Sequence, residues 1–417
     1  METRSQISIV PFILVASLFL GGNVLDVLGY MQSDPTSSPI FRLHPSTYLL
    51  FFLWVIENMK SNTLFNSANN MVRFYAIVVL AVFVFSVTLG KTKANFFILD
   101  TLFASVLLVQ LIQNASDDLK YKLLYWLQFF FVCNCLLAIG ERAMSRIVFQ
   151  PIEQSFFESF RSYALTGHPL NSALITSSLT LFFVVFSDST QKKFLYFGLG
   201  MLALFAFGAR ASLGTMMVAF PFLLYLDLKN YESDLAAGKF FNYLLLFSIA
   251  IVACWYVLAF TSFGERIFNS SRFDDDSADV RSRVFDLFNH FTLSSLLWGI
   301  SEGELLTAMY LEKVDIIENF WIVWIFKYGV ILTVILGVTL FIFLLALFRN
   351  AGPLVKFILA IQFLLAASSN NSLAVNTTAV SIVTLAALVG FNAFSIQSNQ
   401  ENKHEDICNN SGVQSEN

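Results

Sequence analysis

Charge is scarce in this chain. Only 13% of its 417 residues are Asp, Glu, Lys or Arg, against 56% hydrophobic residues and a mean hydropathy of +0.67. That leaves too little polar surface to clothe a soluble fold. A basic surplus is missing as well: the formal net charge is −4, which excludes nucleic acid as a partner. Cysteine is sparse and unpatterned. Cys133, Cys135 and Cys254 sit inside apolar runs and Cys408 in a polar tail, which gives neither a disulfide framework nor a metal spacing. No Asp-x-Asp pair stands beside a His cluster to compel a metal, although Asp274 and Asp276 could hold a cation weakly. Alternation of apolar and polar residues is absent from the long runs, which excludes barrel strands. No internal repeat is evident.

What the chain has instead is apolar sequence in long stretches. Phe alone occurs 47 times. Runs of roughly 17–25 apolar residues, each enough to cross ~30 Å of hydrocarbon as a helix, recur from end to end. By that criterion about twelve spans fall near 7–25, 46–57, 72–89, 95–113, 121–140, 169–187, 194–208, 211–227, 240–260, 318–347, 354–368 and 375–395. The second is short and flanked by His44, Pro45 and Glu57, and the tenth is either one tilted helix or two pieces broken near Gly329. The first exceeds the core of a cleavable signal peptide and is expected to stay as a helix. The expected fold is an all-α integral membrane protein, with a polytopic membrane domain over 1–395 and a tail over 396–417. The tail is rich in Asn, Glu and Ser and lacks aromatics after Phe394, so disorder is expected there.

One polar stretch interrupts the pattern. Residues 261–317 separate the ninth and tenth runs and, with Glu318, gather Arg266, Arg272, Arg281 and Arg283 among six Asp and five Glu side chains. Two membrane helices can be joined by about five residues, so a loop this long is expected to carry recognition or chemistry. A solvated domain without a site is the alternative. An even number of spans puts both termini on one side. Placing them in the cytoplasm leaves twelve basic residues inside and, the long loop excluded, seven outside, the bias the positive-inside rule favours. The loop then faces outward, into the periplasm of a bacterium. Residue type divides the same way: nine of the twelve inner cations are Lys, and nine of the twelve outer ones, loop included, are Arg. Arginine offers a planar fork of donors matched to phosphate oxygens, which points to an anionic ligand outside; chance plus ion pairing with the loop's Asp residues is the other reading.

Four places put polar groups where a membrane makes them costly. The outer loop Glu141–His168 carries Arg142, Arg146 and Arg161 and closes with RSYALTGHPLN. Pro169 suits the first turn of a helix whose free N–H groups favour anions, and His168 reads more readily as an interface residue than as a base. GARASLG (208–214) joins two apolar runs with almost no spacer. Arg210 is therefore expected at the membrane boundary, either snorkelling to headgroups or serving a ligand that approaches the small residues around it. A helix is predicted near 279–292, with Val280, Val284, Leu287, Phe288 and Phe291 as its apolar face. Asp279, Arg283, Asp286 and His290 fall away from that face. Arg281 projects beside Phe285 and Phe288, which ranks it above Arg283 for ligand contact, a surface ion pair being the default for either. Last, IIENFWIVWIFKYG places Glu318 and Asn319 where the loop re-enters the membrane, with Lys327 deeper. Glu318 is a candidate general base for a sugar hydroxyl, or a helix cap. Asp100 is a further intramembrane acid.

Taken in this order, RSYALTGHPLN, GARASLG, an arginine-bearing outer loop with WGISEG, and ENFWIVWIFKYGVI resemble the O-antigen ligase and Wzy-type polymerase superfamily over roughly residues 155–345. The resemblance implies a GT-C-type membrane glycosyltransferase at the periplasmic face of the bacterial inner membrane. Its donor would be a glycan carried by undecaprenyl diphosphate. Carried over by position, Arg161, Arg210 and either Arg281 or Arg283 would hold the donor diphosphate. The chain departs from the family at Glu318-Asn319, where ligases read His-Asn. That departure weighs against a ligase and leaves the base to Glu318, with His290 as an outside candidate. No cofactor or metal is implied, because a lipid diphosphate is already a good leaving group and arginines can meet its charge. The implied function is a polymerase that joins lipid-linked repeats into O-antigen, capsule or exopolysaccharide. A ligase moving finished glycan onto a lipid A core or a protein is the alternative. A flippase is disfavoured, since transporters often show paired halves around a midplane site. The implied partners are the donor lipid, an acceptor glycan, the bilayer, and a chain-length regulator or other glycan-assembly proteins.

Overall fold

The computed structural model describes residues 9–30, 43–61, 70–88, 96–149, 160–187, 189–229, 233–260 and 282–390. Arg281, the first part of the long loop and the tail 396–417 lie outside the described residues. Among the described residues the chain is helical, with no strand. The helices run α1 (Ile9–Phe19), α2 (Gly22–Val27), α3 (Pro45–Ser61), α4 (Asn70–Thr88) and α5 (Ala104–Gln113), the last preceded by a π-helical turn at Ile98–Phe103. Next come α6 (Asp117–Met144), α7 (Pro169–Phe186), α8 (Thr190–Phe207), α9 (Arg210–Leu228) and α10 (Ser233–Phe260). The loop contributes α11 (Leu293–Trp298) and α12 (Glu302–Leu311), and α13 (Phe320–Leu347), α14 (Pro353–Ser368) and α15 (Ala379–Gly390) complete the order.

Among the described residues five of these, α4, α6, α7, α9 and α13 (the last broken at Gly329), are long and apolar enough to cross a membrane. Five more apolar helical stretches of 10–17 residues stand among the described residues, one of them within the 28-residue α10. Large apolar side chains such as Ile77, Phe222, Tyr225, Phe241 and Leu245 stand on the outer surface. A water-soluble monomer does not display that much contiguous apolar area, whereas hydrocarbon accepts it. The chain is a helical membrane protein. Helix α7 is its axis: 78% of α7 is buried, against 33% for the lipid-facing windows of α4 and α9. Small residues let the helices close on it. A Cβ at Gly200 of α8 would lie 2.0 Å from the Thr180 hydroxyl of α7, so only glycine permits that approach.

Two of the expected spans are broken, each at a glycine that another segment needs. The first run divides into α1 and α2 at Gly21. Its N–H donates to the Leu165 carbonyl (2.8 Å), and a Cβ there would fall 1.9 Å from the Thr166 carbonyl oxygen. The tenth run divides at Gly329, whose φ of 84° and ψ of 164° are not helical. The break is sharp. Trp321 and Gly337 would stand ~24 Å apart on a straight helix, yet the Trp321 ring occupies the space where a Gly337 Cβ would sit. The chain has therefore doubled back at Gly329. The strand of backbone freed by the break is used: the Phe326 carbonyl accepts the Ile300 N–H at 2.7 Å, and Gly329 packs on the Leu297 carbonyl.

That arrangement fastens the long loop to the membrane body. Val284, Leu287, Ile300, Ala308, Val314 and Ile317 form a second small core with Ile322 and Phe326 of α13. Phe288 and Phe291 cover the Phe326 ring at 4.8 and 5.6 Å between centroids. Val284, Leu287, Phe288 and Phe291 of the apolar face expected around 279–292 are thus the face that docks. Among the described residues the helix ends earlier than expected, at 286, and tightens into a 3-10 turn at Leu287–His290. Phe291 is extended so that its ring can reach Phe326, and Thr292 caps α11 by accepting the Ser295 N–H.

Candidate functional site

Three chain junctions meet at the end of α7. The first is the loop 160–168, and its shape is set by one buried carboxylate. Glu141, near the C-terminal end of α6, has no exposed surface. Its Oε2 accepts the N–H groups of Tyr163 and Ala164, both at 2.9 Å, and the Ser162 hydroxyl; its Oε1 accepts the Val148 N–H at 2.9 Å. Asn134 of α6 adds a bond from the Leu165 N–H to its Oδ1 at 3.1 Å, and the Ser162 N–H donates to the Ala206 carbonyl at the end of α8. These bonds hold Arg161 over the junction of α8 and α9. The loop ends at His168, the N-cap of α7, with Pro169 in its first turn as expected.

The second junction is Gly208–Ala209. Gly208 is left-handed (φ 66°) and ends α8, while α9 begins at Arg210 with no side-chain cap on Ala209. The first-turn N–H groups of α9 have no intrahelical partner, and together with the helix dipole they make its start attractive to an anion. The third junction is Glu318-Asn319. Asn319 caps α13, its Oδ1 accepting the N–H groups of Trp321 (2.9 Å) and Ile322 (3.3 Å). The capping role considered for Glu318 thus belongs to its neighbour. The Phe320 N–H donates to the Asn370 carbonyl (3.0 Å), and the Trp321 indole N–H to Ser368 Oγ (2.7 Å), which brings the α14–α15 connection alongside.

These junctions border an open cavity of about 350 Å³. Arg161, Arg210, Glu318 and Asn319 line it together with Gly208, Ala209, Ser368 and Ser369, while Leu170, Val284, Phe285 and Ile322 supply apolar wall. Such a volume suits a small polar headgroup. Residues separated by more than a hundred positions in sequence thus share one space: two guanidinium groups, the start of α9 and one carboxylate.

The other candidates from the sequence stand elsewhere. Arg283 directs Nη1 to the carbonyls of Lys313 (3.3 Å) and Glu312 (3.5 Å), where it fastens 282–286 to the end of α12, although its neighbours Val284 and Phe285 reach the cavity wall. His290 pairs with Glu312 across 2.6 Å on the loop surface and is not among the cavity's lining residues. Asp100 accepts the His44 N–H (3.0 Å) and the Thr47 hydroxyl (2.7 Å) and so holds the start of α3. Lys327 lies over the Phe97 ring at 5.0 Å. His168 stands behind the cavity. Burial first, and then the Arg161 guanidinium, pull its imidazole down to about 4, with the Glu318 carboxylate opposing. Sequence reasoning did not single out Glu141 as an anchor, nor Ser368 and Ser369 as wall. The polar run SSNNS at 368–372 between two apolar runs was the available signal.

No family model matches this chain. A search of curated proteins finds no relative either. The site must therefore be read from its own chemistry.

Proposed function

We propose that this chain is a membrane glycosyltransferase of about twelve transmembrane helices, which polymerises lipid-linked oligosaccharide repeats. In this reading residues 261–317 and the arginine cavity face the periplasm, both termini are cytoplasmic, and the membrane is the bacterial inner membrane. The observation that carries it is the convergence of Arg161, Arg210, the uncapped start of α9 and Glu318 on one cavity under an apolar loop. Two arginines and a helix start are matched to a diphosphate, which needs charge on several oxygens met from more than one side. A carboxylate in the same space is matched to a hydroxyl that must lose a proton.

The transfer balances without a further reactant. The acceptor hydroxyl oxygen attacks the anomeric carbon of the donor sugar, and its proton passes to Glu318. The bond between the anomeric carbon and the diphosphate oxygen breaks, and its electron pair leaves with undecaprenyl diphosphate. Arg161 and Arg210 meet the charge that grows on that leaving group, beside an apolar wall of Val284, Phe285 and Ile322. The product is a glycosidic bond and a glycan longer by the donor's repeat. Arg281, outside the described residues, stays a diphosphate-binding candidate by the resemblance alone, and Arg283 acts by holding the loop down.

Complementation of a deletion strain tests the reading. Arg210→Ala and Glu318→Gln are expected to leave single capped repeats on a gel where the wild type restores long chains. Long lipid-linked chains accumulating in the deletion strain would instead identify the ligase alternative. Transport of labelled lipid-linked oligosaccharide into vesicles without elongation would identify a flippase.

A further inference from the structure

Segments 161–171 and 368–378 are two-sided. Arg161, Leu170, Ser368 and Ser369 face the arginine cavity, whereas His168, Asn171, Asn371 and Thr377 face a second cavity of about 280 Å³. The two segments are thus a shared partition. The chemistry on the far side is of another kind. No Asp, Glu, Lys or Arg is among the second cavity's lining residues; it is walled by three Asn, three Thr, two His, three glycines and two aliphatic residues. Amide and hydroxyl groups of neutral charge, beside backbone left bare by glycine, suit an uncharged ligand rich in hydroxyl groups and offer nothing to a phosphate.

The two histidines differ in what they can do. His44 is fully engaged: Nε2 donates to the Leu20 carbonyl (2.7 Å), and Nδ1 accepts the Ser46 N–H (3.2 Å). His168 has a buried Nδ1 with no hydrogen-bond partner among the described residues. Native structures rarely leave such an atom unmet unless a ligand or water meets it. The His168 ring also feels the charges of Arg161 and Glu318 across the partition. His168 therefore stands at the boundary between the two cavities. Gly22 borders the same space, and a Cβ there would meet nothing within 4 Å.

We propose that the second cavity is a subsite for an uncharged sugar residue of the acceptor glycan, set beside the arginine cavity across the partition at His168. This rests on the glycosyl-transfer reading of the first cavity. The test uses the full-length protein in lipid nanodiscs and two sets of probes, read by saturation-transfer NMR and titration. Farnesyl diphosphate probes the arginine cavity. Glucose, galactose, rhamnose, N-acetylglucosamine and N-acetylgalactosamine probe the second. At least one sugar is expected to bind the wild type. Gly22→Phe, which grows into the open space, and Asn371→Leu are each expected to weaken that sugar by about tenfold or more while farnesyl diphosphate binding is unchanged, which also serves as the control for folding. Arg210→Ala is expected to show the reverse pattern. The inference is overturned if no sugar binds the wild type, or if sugar binding survives both Gly22→Phe and Asn371→Leu, which would mark the space as water-filled. Sugar binding that behaves as expected while farnesyl diphosphate fails to bind the wild type would sink the diphosphate reading and leave the sugar subsite standing.

Discussion

Glu141 offers the most quantitative handle on the site, because one carboxylate holds the loop that carries Arg161. It accepts from Val148, Ser162, Tyr163 and Ala164, and it is fully buried. Hydrogen bonds to a charged acceptor contribute about 1.5–3 kcal/mol each. Glu141→Gln can keep its oxygen toward the three donors at 162–164, but its amide group then faces the Val148 N–H. One bond is lost and two donors are opposed, a cost of about 2–4 kcal/mol. Glu141→Ala removes all four acceptor contacts and leaves buried N–H groups unmet, which costs more than about 5 kcal/mol and is expected to release the loop. Two assays read the effect on purified protein: thermal unfolding, and farnesyl diphosphate titration. Gln is expected to lower the melting temperature and weaken the diphosphate, since Arg161 is two residues from the anchored Tyr163 N–H. Ala is expected to do both more severely. A Glu141→Gln protein equal to wild type in both measurements would refute the claim that this carboxylate positions the site.

Other outcomes follow from the same geometry. Gly329→Ala places a Cβ about where the Leu297 carbonyl lies and forces a residue with a side chain into φ 84°; limited proteolysis is expected to cut the loop around α11 and α12 faster while α7 stays protected. Arg283→Ala, which loses bonds to the Glu312 and Lys313 carbonyls at the base of the loop, is expected to leave farnesyl diphosphate affinity within about twofold, whereas Arg210→Ala lowers it by about tenfold or more. A drop for Arg283→Ala as large as for Arg210→Ala would return Arg283 to the binding site. His168 and His44 are both held down to about 4, His44 by burial against the pull of its bond to Leu20. The unfolded chain then binds protons that the native one refuses between the ordinary histidine value and that level. Stability is full above about pH 6.5 and falls as pH drops toward about 4, and His168→Gln is expected to remove about half of that slope. Unfolding temperatures measured from pH 7 down to 4.5 check it.

Much of the cavity was legible in the chain because each contributor breaks a local rule. Arg210 interrupts two apolar runs without a spacer, Arg161 precedes a Gly-containing turn and a helix-starting Pro169, and Glu318-Asn319 stands at the edge of the most apolar helix. A polar group at such a junction has few places to go other than a shared outer space. The apolar stripe of Val284, Leu287, Phe288 and Phe291 was legible for a similar reason, since only a docked face carries that spacing on a polar loop. The rest depends on partners that local pattern does not name. Gly21 breaks the first run because Leu165 and Thr166, far along the chain, press on its backbone. Arg283 and His290 read as exposed charges until α12 returns to supply the Glu312 and Lys313 carbonyls and the Glu312 carboxylate. Glu141 looked like one more loop acid because the four donors it gathers lie up to 23 positions away. Ser368 and Ser369 carry no local signal of their own beyond the polar run they open, and the bonds from Trp321 to Ser368 and from Phe320 to Asn370 bring them to the wall.

The central claim, that Arg161 and Arg210 grip a prenyl-linked diphosphate, is tested most directly by the lipid the protein keeps. Native mass spectrometry of the protein purified gently from its own membranes should show a bound undecaprenyl-diphosphate-linked glycan. The account predicts that this lipid is lost from an Arg161→Ala, Arg210→Ala double variant that is otherwise folded. Recovery of the lipid from that variant at the wild-type level, or a wild type that carries only ordinary phospholipid, would contradict it.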